Sequence, residues 1–269
     1  MSAGARRIAV GLEYDGTRYS GWQLQPGLPT IQELVQRALG TVADHPVKVS
    51  CAGRTDAAVH ATGQVAHFDT GASRPMRGWV LGANGLLPPD IALNWAVEVD
   101  GQFDARRSAL ARSYRYCILR RATRPALLRD RVHWVRMPLD VPAMHAAAQC
   151  LVGEHDFSAF RSAECQAATA RRRIDSISVT AEGALVTIEV TANAFLHHMV
   201  RNIAGTLLEV GAQGNAPARV AETLASRDRQ RAGITASACG LYLCAVRYPP
   251  DAGIPVPAQA RSWAMIAPA

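Results

Sequence analysis

A single lysine, Lys48, stands among the 29 basic residues of this 269-residue chain, so almost all of its positive charge is guanidinium. Cys-x-x-Cys pairs are absent as well: Cys51, Cys117, Cys150, Cys165, Cys239 and Cys244 are scattered, which argues against a zinc ribbon or a disulfide framework. They are expected as reduced, mostly buried thiols. No apolar run reaches the roughly 18 residues a bilayer span requires, and residues 1–10 lack the apolar stretch of a signal peptide. The chain is therefore expected in the cytoplasm. Disorder is not the default at 49% hydrophobic residues, and the length allows one large domain or two modest ones.

The net charge of +7 is compatible with nothing more than solubility, but its distribution is uneven. Residues 106–136 hold ten arginines against one acid, Asp130, a local excess larger than that of the whole chain. A solvated face is one explanation. A nucleic-acid surface is the other, because a guanidinium forks onto phosphate oxygens where an ammonium acts only as a point charge. Arg171, Arg172 and Arg173 form a second basic cluster.

Alternating apolar residues at Ile8, Val10, Leu12 and Tyr14 predict a strand that ends at Asp15-Gly16. Thr30 and Glu33 have capping-box spacing ahead of a helical stripe, Ile31, Leu34, Val35, Ala38 and Leu39, with Gly40 placed to close the helix. Strands are expected over 47–52, 63–68 and 91–99, with a helix over 73–85. The second half repeats this pattern: strands over 113–119, 174–180, 185–191 and 241–248, and helices over 140–152, 195–210 and after Pro217. The expected fold is α+β, two tandem ferredoxin-like or RRM-like βαββαβ units with largely antiparallel sheets and a cleft between them. Domain limits are expected at 1–105 and 106–249, followed by a C-terminal tail, 250–269. The tryptophans and the stripe Leu196, Met199 or Val200, Ile203 and Leu207 read as core.

Between two apolar strands lies Gly53-Arg54-Thr55-Asp56-Ala57-Ala58-Val59-His60. Charge at the end of a buried strand must be paired or solvated, so Arg54 and Asp56 are expected to neutralise one another, as a structural pair or as part of a reactive site. His60, His67, His197 and His198 lack metal-ligand spacing. Within a helix over 195–210, His197 and His198 would point about 100° apart, so no metal is expected.

The string CAGRTDAAVHATGQVAHF, residues 51–68, resembles the GRTDAGVHA signature of the tRNA pseudouridine synthase A (TruA) family. The resemblance continues through EYDGTRYSGWQ (13–23), RSYRY (112–116), NAFLHHMVRNIAG (193–205) and GLYLCAVRYP (240–249), and so covers nearly the whole chain. It implies isomerisation of uridine to pseudouridine at positions 38 to 40 of the tRNA anticodon stem-loop, by a homodimer, without cofactor. The same scaffold as a non-catalytic RNA-binding module is the alternative.

By the same resemblance, Asp56 is the catalytic aspartate, Tyr114 packs on the target base, and Arg54 and Arg201 lie near Asp56 and the RNA backbone. Asp56 would either attack C1′ or remove a sugar proton, and both routes stay open. Arg112, Arg115, Arg171 and Arg172 are the expected phosphate contacts. The chain departs from the family pattern at Ala58, where glycine is usual, at Leu86 in place of a second Asn after Asn84, and at Asp104 and Arg107. If that glycine has a positive φ, Ala58 is strained by about 1 kcal/mol.

Overall fold

The computed structural model describes residues 4–213 and 217–255. Among the described residues it is a mixed α+β protein with largely antiparallel strand pairing, ten strands and five α-helices. The chain divides into two compact units: one runs through Arg112 and resumes at Tyr242, the other is Ser113–Leu241.

In the first unit the order is β1 (Arg6–Tyr14), α1 (Ile31–Ala43), β2 (Ser50–Cys51), β3 (His60–Thr70), α2 (Met76–Asn84) and β4 (Ile91–Val99). Strand β1 is central, antiparallel to β3 on one side and to β4 on the other. The far edge of β3 is shared by β2, antiparallel at His67 and Ala66, and by β10 (Leu241–Arg247), parallel at His60 and Ala61. Ile8, Val10 and Leu12 are buried, as are Ile31, Val35 and Leu39 of α1 and Trp79 of α2. Burial of these side chains is the main stabilising term for the unit.

Helix α1 runs past Gly40 to Ala43 and stops at Asp44, whose φ is 61°. Gly40 is therefore an interior residue rather than the predicted cap. The returning chain crosses close over it: a Cβ there would lie 3.3 Å from the His45 carbonyl. The capping box is also unused, because the Thr30 side chain makes no cap hydrogen bond. Instead the Ile31 and Gln32 amides donate to the carbonyls of Gly21 and Trp22, so a neighbouring loop supplies the acceptors that a helix start requires.

The division between units falls at Arg112/Ser113, later than the expected 105/106, because residues 103–112 are tied back onto the first unit. The Ala105 amide donates to His67 Nδ1 and the Tyr248 hydroxyl to the Ala105 carbonyl. The Leu110 amide donates to the Arg247 carbonyl. The final strand belongs with the first unit from Tyr242 onward. Of the expected tail, Pro250–Ala252 form a 3-10 turn, and residues 256–269 lie outside the described residues.

In the second unit β5 (Ala111–Arg120), β8 (Arg171–Glu182) and β9 (Leu185–Ala192) form the sheet, in the order β5-β9-β8-β7, with the short strands β6 (His133–Val135) and β7 (Gly153–Asp156) at β5 and β8. Helices α3 (Val141–Ala148), α4 (Met199–Gln213) and α5 (Ala218–Ser226) complete it. Leu196, Met199, Val200, Ile203 and Leu207 are buried as expected.

Helix α4 starts at Met199 and not at 195. His198 has a φ of 61°, a left-handed conformation that interrupts the helix before it begins. The rings of His197 and His198 consequently lie 4.0 Å apart, not splayed as a continuous helix would place them. Trp22 and Trp79 are core, while Trp95 and Trp134 are half-buried and Trp263 is outside the described residues.

Candidate active site

Strand β2 ends at Cys51, and the Ala52 amide makes one last bond to the Val65 carbonyl before the chain loops through 53–59 and re-enters the sheet as β3. Four groups hold this loop from beneath. The side-chain amide of Gln64, fully buried on β3, clasps Gly53 from both sides: Nε2 donates to the Gly53 carbonyl at 2.7 Å and Oε1 accepts from the Gly53 amide at 3.4 Å. Gln64 Nε2 also reaches the Tyr14 hydroxyl at 3.3 Å, and that hydroxyl lies 2.8 Å from Thr55 Oγ1. The Trp22 amide donates to the Thr55 carbonyl, and the Ala58 amide to the Tyr19 carbonyl.

Thr55 is buried by these contacts, so its neighbours along the chain face outward: Asp56 is half-buried and Arg54 exposed. The Val59 amide returns to the Asp56 carbonyl at 3.2 Å, and Ala58 has a φ of 60° while Ala57 does not have a positive φ. This is the pattern of a type II turn, in which the third residue favours glycine. The one residue of the motif that departs from the signature is thus the one that carries backbone strain.

The two charges of the loop sit in different surroundings, Asp56 half-buried and Arg54 open to solvent. Arg54 is exposed, so water solvates it and the desolvation cost that would demand a partner is not incurred. Cys51, directly before the loop, has its thiol pushed up to about 12, chiefly by burial, and remains a neutral core residue.

Of the two tyrosines in RSYRY, Tyr116 is buried, with its hydroxyl 2.7 Å from His133 Nδ1 and donating to the Ser237 carbonyl at 2.8 Å; burial raises its pKa well above the usual value. Tyr114 is half-buried and meets Phe195 edge to face, with 4.9 Å between ring centres. It is the tyrosine with an accessible ring. Arg201, in the first turn of α4, donates through Nε to the Ala236 carbonyl at 2.9 Å, and its own carbonyl accepts from the Ala236 amide.

The expected phosphate contacts divide sharply. Arg112 is only 8% exposed, and its guanidinium donates to the carbonyls of Ala109, Ala52 and Arg106. It is an internal clamp between chain segments and presents no fork to solvent. Arg115 is ion-paired with Glu189, and its side chain is only 13% exposed. Arg171 is exposed and pairs with Glu154 at 3.3 Å. Arg172 donates to the carbonyls of Thr169 and Arg171, and burial lowers its pKa. Charge counting along the sequence cannot distinguish such internal arginines from surface ones. Residues the sequence reading did not single out, Tyr14, Thr55 and Gln64, prove to hold the loop. Period-two alternation on β1 and β3 marked Tyr14 and Gln64 only as strand residues.

A mixed α+β chain with one carboxylate on a braced turn matches the family model described as tRNA pseudouridine synthase, over residues 12–106 and 147–249. The class is that of the pseudouridine synthases. At finer grain, the chain is 52% identical over 264 residues to the tRNA pseudouridine synthase A of Methylococcus capsulatus, covering 96% of this chain and 97% of that one. It is 51% identical to that of Salmonella typhimurium, covering 96% and 95%, and 50% identical to that of Pseudomonas aeruginosa, covering 94% and 90%. The protein belongs to the tRNA pseudouridine synthase A family.

Proposed function

We propose that this protein isomerises uridine to pseudouridine at positions 38 to 40 of the tRNA anticodon stem-loop, with Asp56 as the essential group, and that it works in the cytoplasm as a homodimer. The observation that carries the reading is the placement of Asp56 on a turn whose backbone is fixed from below, within a chain about half identical to tRNA pseudouridine synthases A along nearly its full length. The β-α-β-β-α-β order of the first unit and its strand order β4-β1-β3-β2 support a ferredoxin-like assignment for that unit.

The chemistry accounts for so sparse a site. The C1′–N1 bond breaks, the uracil turns, C5 bonds to C1′, the C5 proton leaves and N1 gains one. Atoms and electrons balance within the nucleotide, so the reaction calls for no redox cofactor. Asp56 acts at the ribose, either as nucleophile at C1′ or as the base that removes a sugar proton. Tyr114 offers its ring to the detached uracil. Arg54 and Arg201 meet the RNA backbone, with Arg171 and Arg172 as outer phosphate contacts. A stem uridine must leave its stack first, at a cost of a few kcal/mol, which phosphate contacts offset.

The test is release of tritium from C5-labelled uridine in tRNA. The wild-type protein releases it without added nucleotide. Asp56→Asn loses at least about a thousandfold in rate while tRNA binding persists. Near-wild-type turnover in that variant would eliminate the assignment.

A further inference from the structure

The hydrogen bonds beneath the loop have a polar chemistry that packing alone does not require. Thr55, Tyr14 and Gln64 are all buried, and each joins its neighbours through polar atoms: Thr55 Oγ1 to Tyr14 Oη at 2.8 Å, Tyr14 Oη to Gln64 Nε2 at 3.3 Å, and Gln64 to both main-chain groups of Gly53. The chain starts and ends on the loop that bears Asp56. Burying three polar side chains is costly unless each finds partners, and a trio of apolar residues would have filled the same volume. A fully satisfied network in return fixes a single geometry.

Two main-chain contacts act at the same place. The Trp22 amide holds the Thr55 carbonyl. Gly21, with a φ of 89°, lies so close that a Cβ there would sit 2.6 Å from the Thr55 carbonyl and 3.0 Å from the Asp56 carbonyl carbon. Trp22 stands 6.1 Å from the Tyr14 ring, so the Ser-Gly-Trp segment and the polar network press on the same peptide. The segment is itself anchored, because Gly21 and Trp22 supply the acceptors for the first amides of α1.

We propose that Thr55, Tyr14 and Gln64 are positioning residues for the reaction: their hydrogen bonds set the direction of the Asp56 carboxylate, and the Gly21-Trp22 wedge holds its peptide from the other side. The inference rests on the assignment of Asp56 as the essential group. A carboxylate displaced by about 1 Å from its reacting atom loses on the order of a hundredfold in rate. Substrate binding does not depend on the direction of that carboxylate.

The experiment measures kcat and KM for tritium release, normalised to the folded fraction from circular dichroism, in Thr55→Val, Thr55→Ser and Tyr14→Phe, with Asp56→Asn alongside. Thr55→Val keeps shape and removes the hydroxyl, and its kcat is expected to fall about 10- to 100-fold with KM within about twofold. Tyr14→Phe is expected to fall in the same direction, and Thr55→Ser, which restores the hydroxyl, to recover most of the rate. Wild-type kcat per folded molecule in both Thr55→Val and Tyr14→Phe would overturn the proposal and leave the network a purely structural device, even if both variants are less stable. Activity in Asp56→Asn would instead remove the catalytic assignment on which it stands.

Discussion

Replacing Ala58 by glycine should make this protein more stable, a direction opposite to that of most alanine-to-glycine changes. Ala58 has a φ of 60°, where an L-residue with a Cβ is disfavoured by about 1–2 kcal/mol. Glycine removes that term, and its amide still donates to the Tyr19 carbonyl as Ala58 does now. Against the gain stands the larger freedom of glycine in the unfolded chain, about 0.4–1 kcal/mol. The difference leaves a net stabilisation of roughly 0.5–1 kcal/mol. With an unfolding entropy near 2.1 cal/mol/K per residue, that raises Tm by about 1–2 °C if the whole chain melts together, and by about twice as much if the first unit melts alone. Differential scanning calorimetry at neutral pH reads the shift, and urea unfolding supplies the free energy independently. A lower Tm, or an unchanged one together with an unchanged urea midpoint, would refute the claim that this turn is strained. The opposite substitution at Gly21 makes the control: Gly21→Ala meets the Thr55 carbonyl and should destabilise.

Two further outcomes follow from the buried polar groups. Arg112→Met should cost at least about 2 kcal/mol, because three carbonyls lose their donors, yet leave the salt dependence of tRNA binding unchanged; a shallower salt slope would mean that this side chain meets phosphate after all. His67 is held below its ordinary pKa of 6.5 by burial and then by Arg7, so the unfolded chain takes up its proton first on acidification. The stability it contributes is complete above about pH 6.5 and is lost as pH falls through the lower folded value. His67→Gln keeps an acceptor for the Ala105 amide and should lose less Tm than the wild type between pH 7.5 and pH 5; equal losses would show that His67 is not the group responsible.

Strand β4 was legible from the large apolar residues alternating at Ile91, Leu93, Trp95, Val97 and Val99, but the sequence does not reveal that the pairing with β1 shifts register between Leu93 and Trp95, after which Ala96 is the buried residue. The ends of the helices were not legible. Gly40 resembles a cap in sequence, but the end of α1 is set by where the chain must turn back, at Asp44. The start of α4 is set by the backbone of His198, whose left-handed conformation has no composition signal. Strands β6 and β7 are too short for periodicity and exist only through their pairing. The motif marks Asp56 as a candidate, whereas the hydrogen bonds of Tyr14 and Gln64 depend on partners 41 and 11 residues away. The burial of Arg112 leaves no mark in the sequence, because counting charge in a window carries no information about exposure.

The parallel pairing of Tyr242 and Leu243 with His60 and Ala61 means that the first unit is completed by residues translated only after the whole of Ser113–Leu241. While a ribosome makes the intervening segment, the His60–Ala61 end of the β3 border, which β2 does not reach, waits uncovered, open to pairing with a neighbouring nascent chain. A fragment cut at Arg112 would carry that open border permanently, and it should precipitate rather than persist as an independent module.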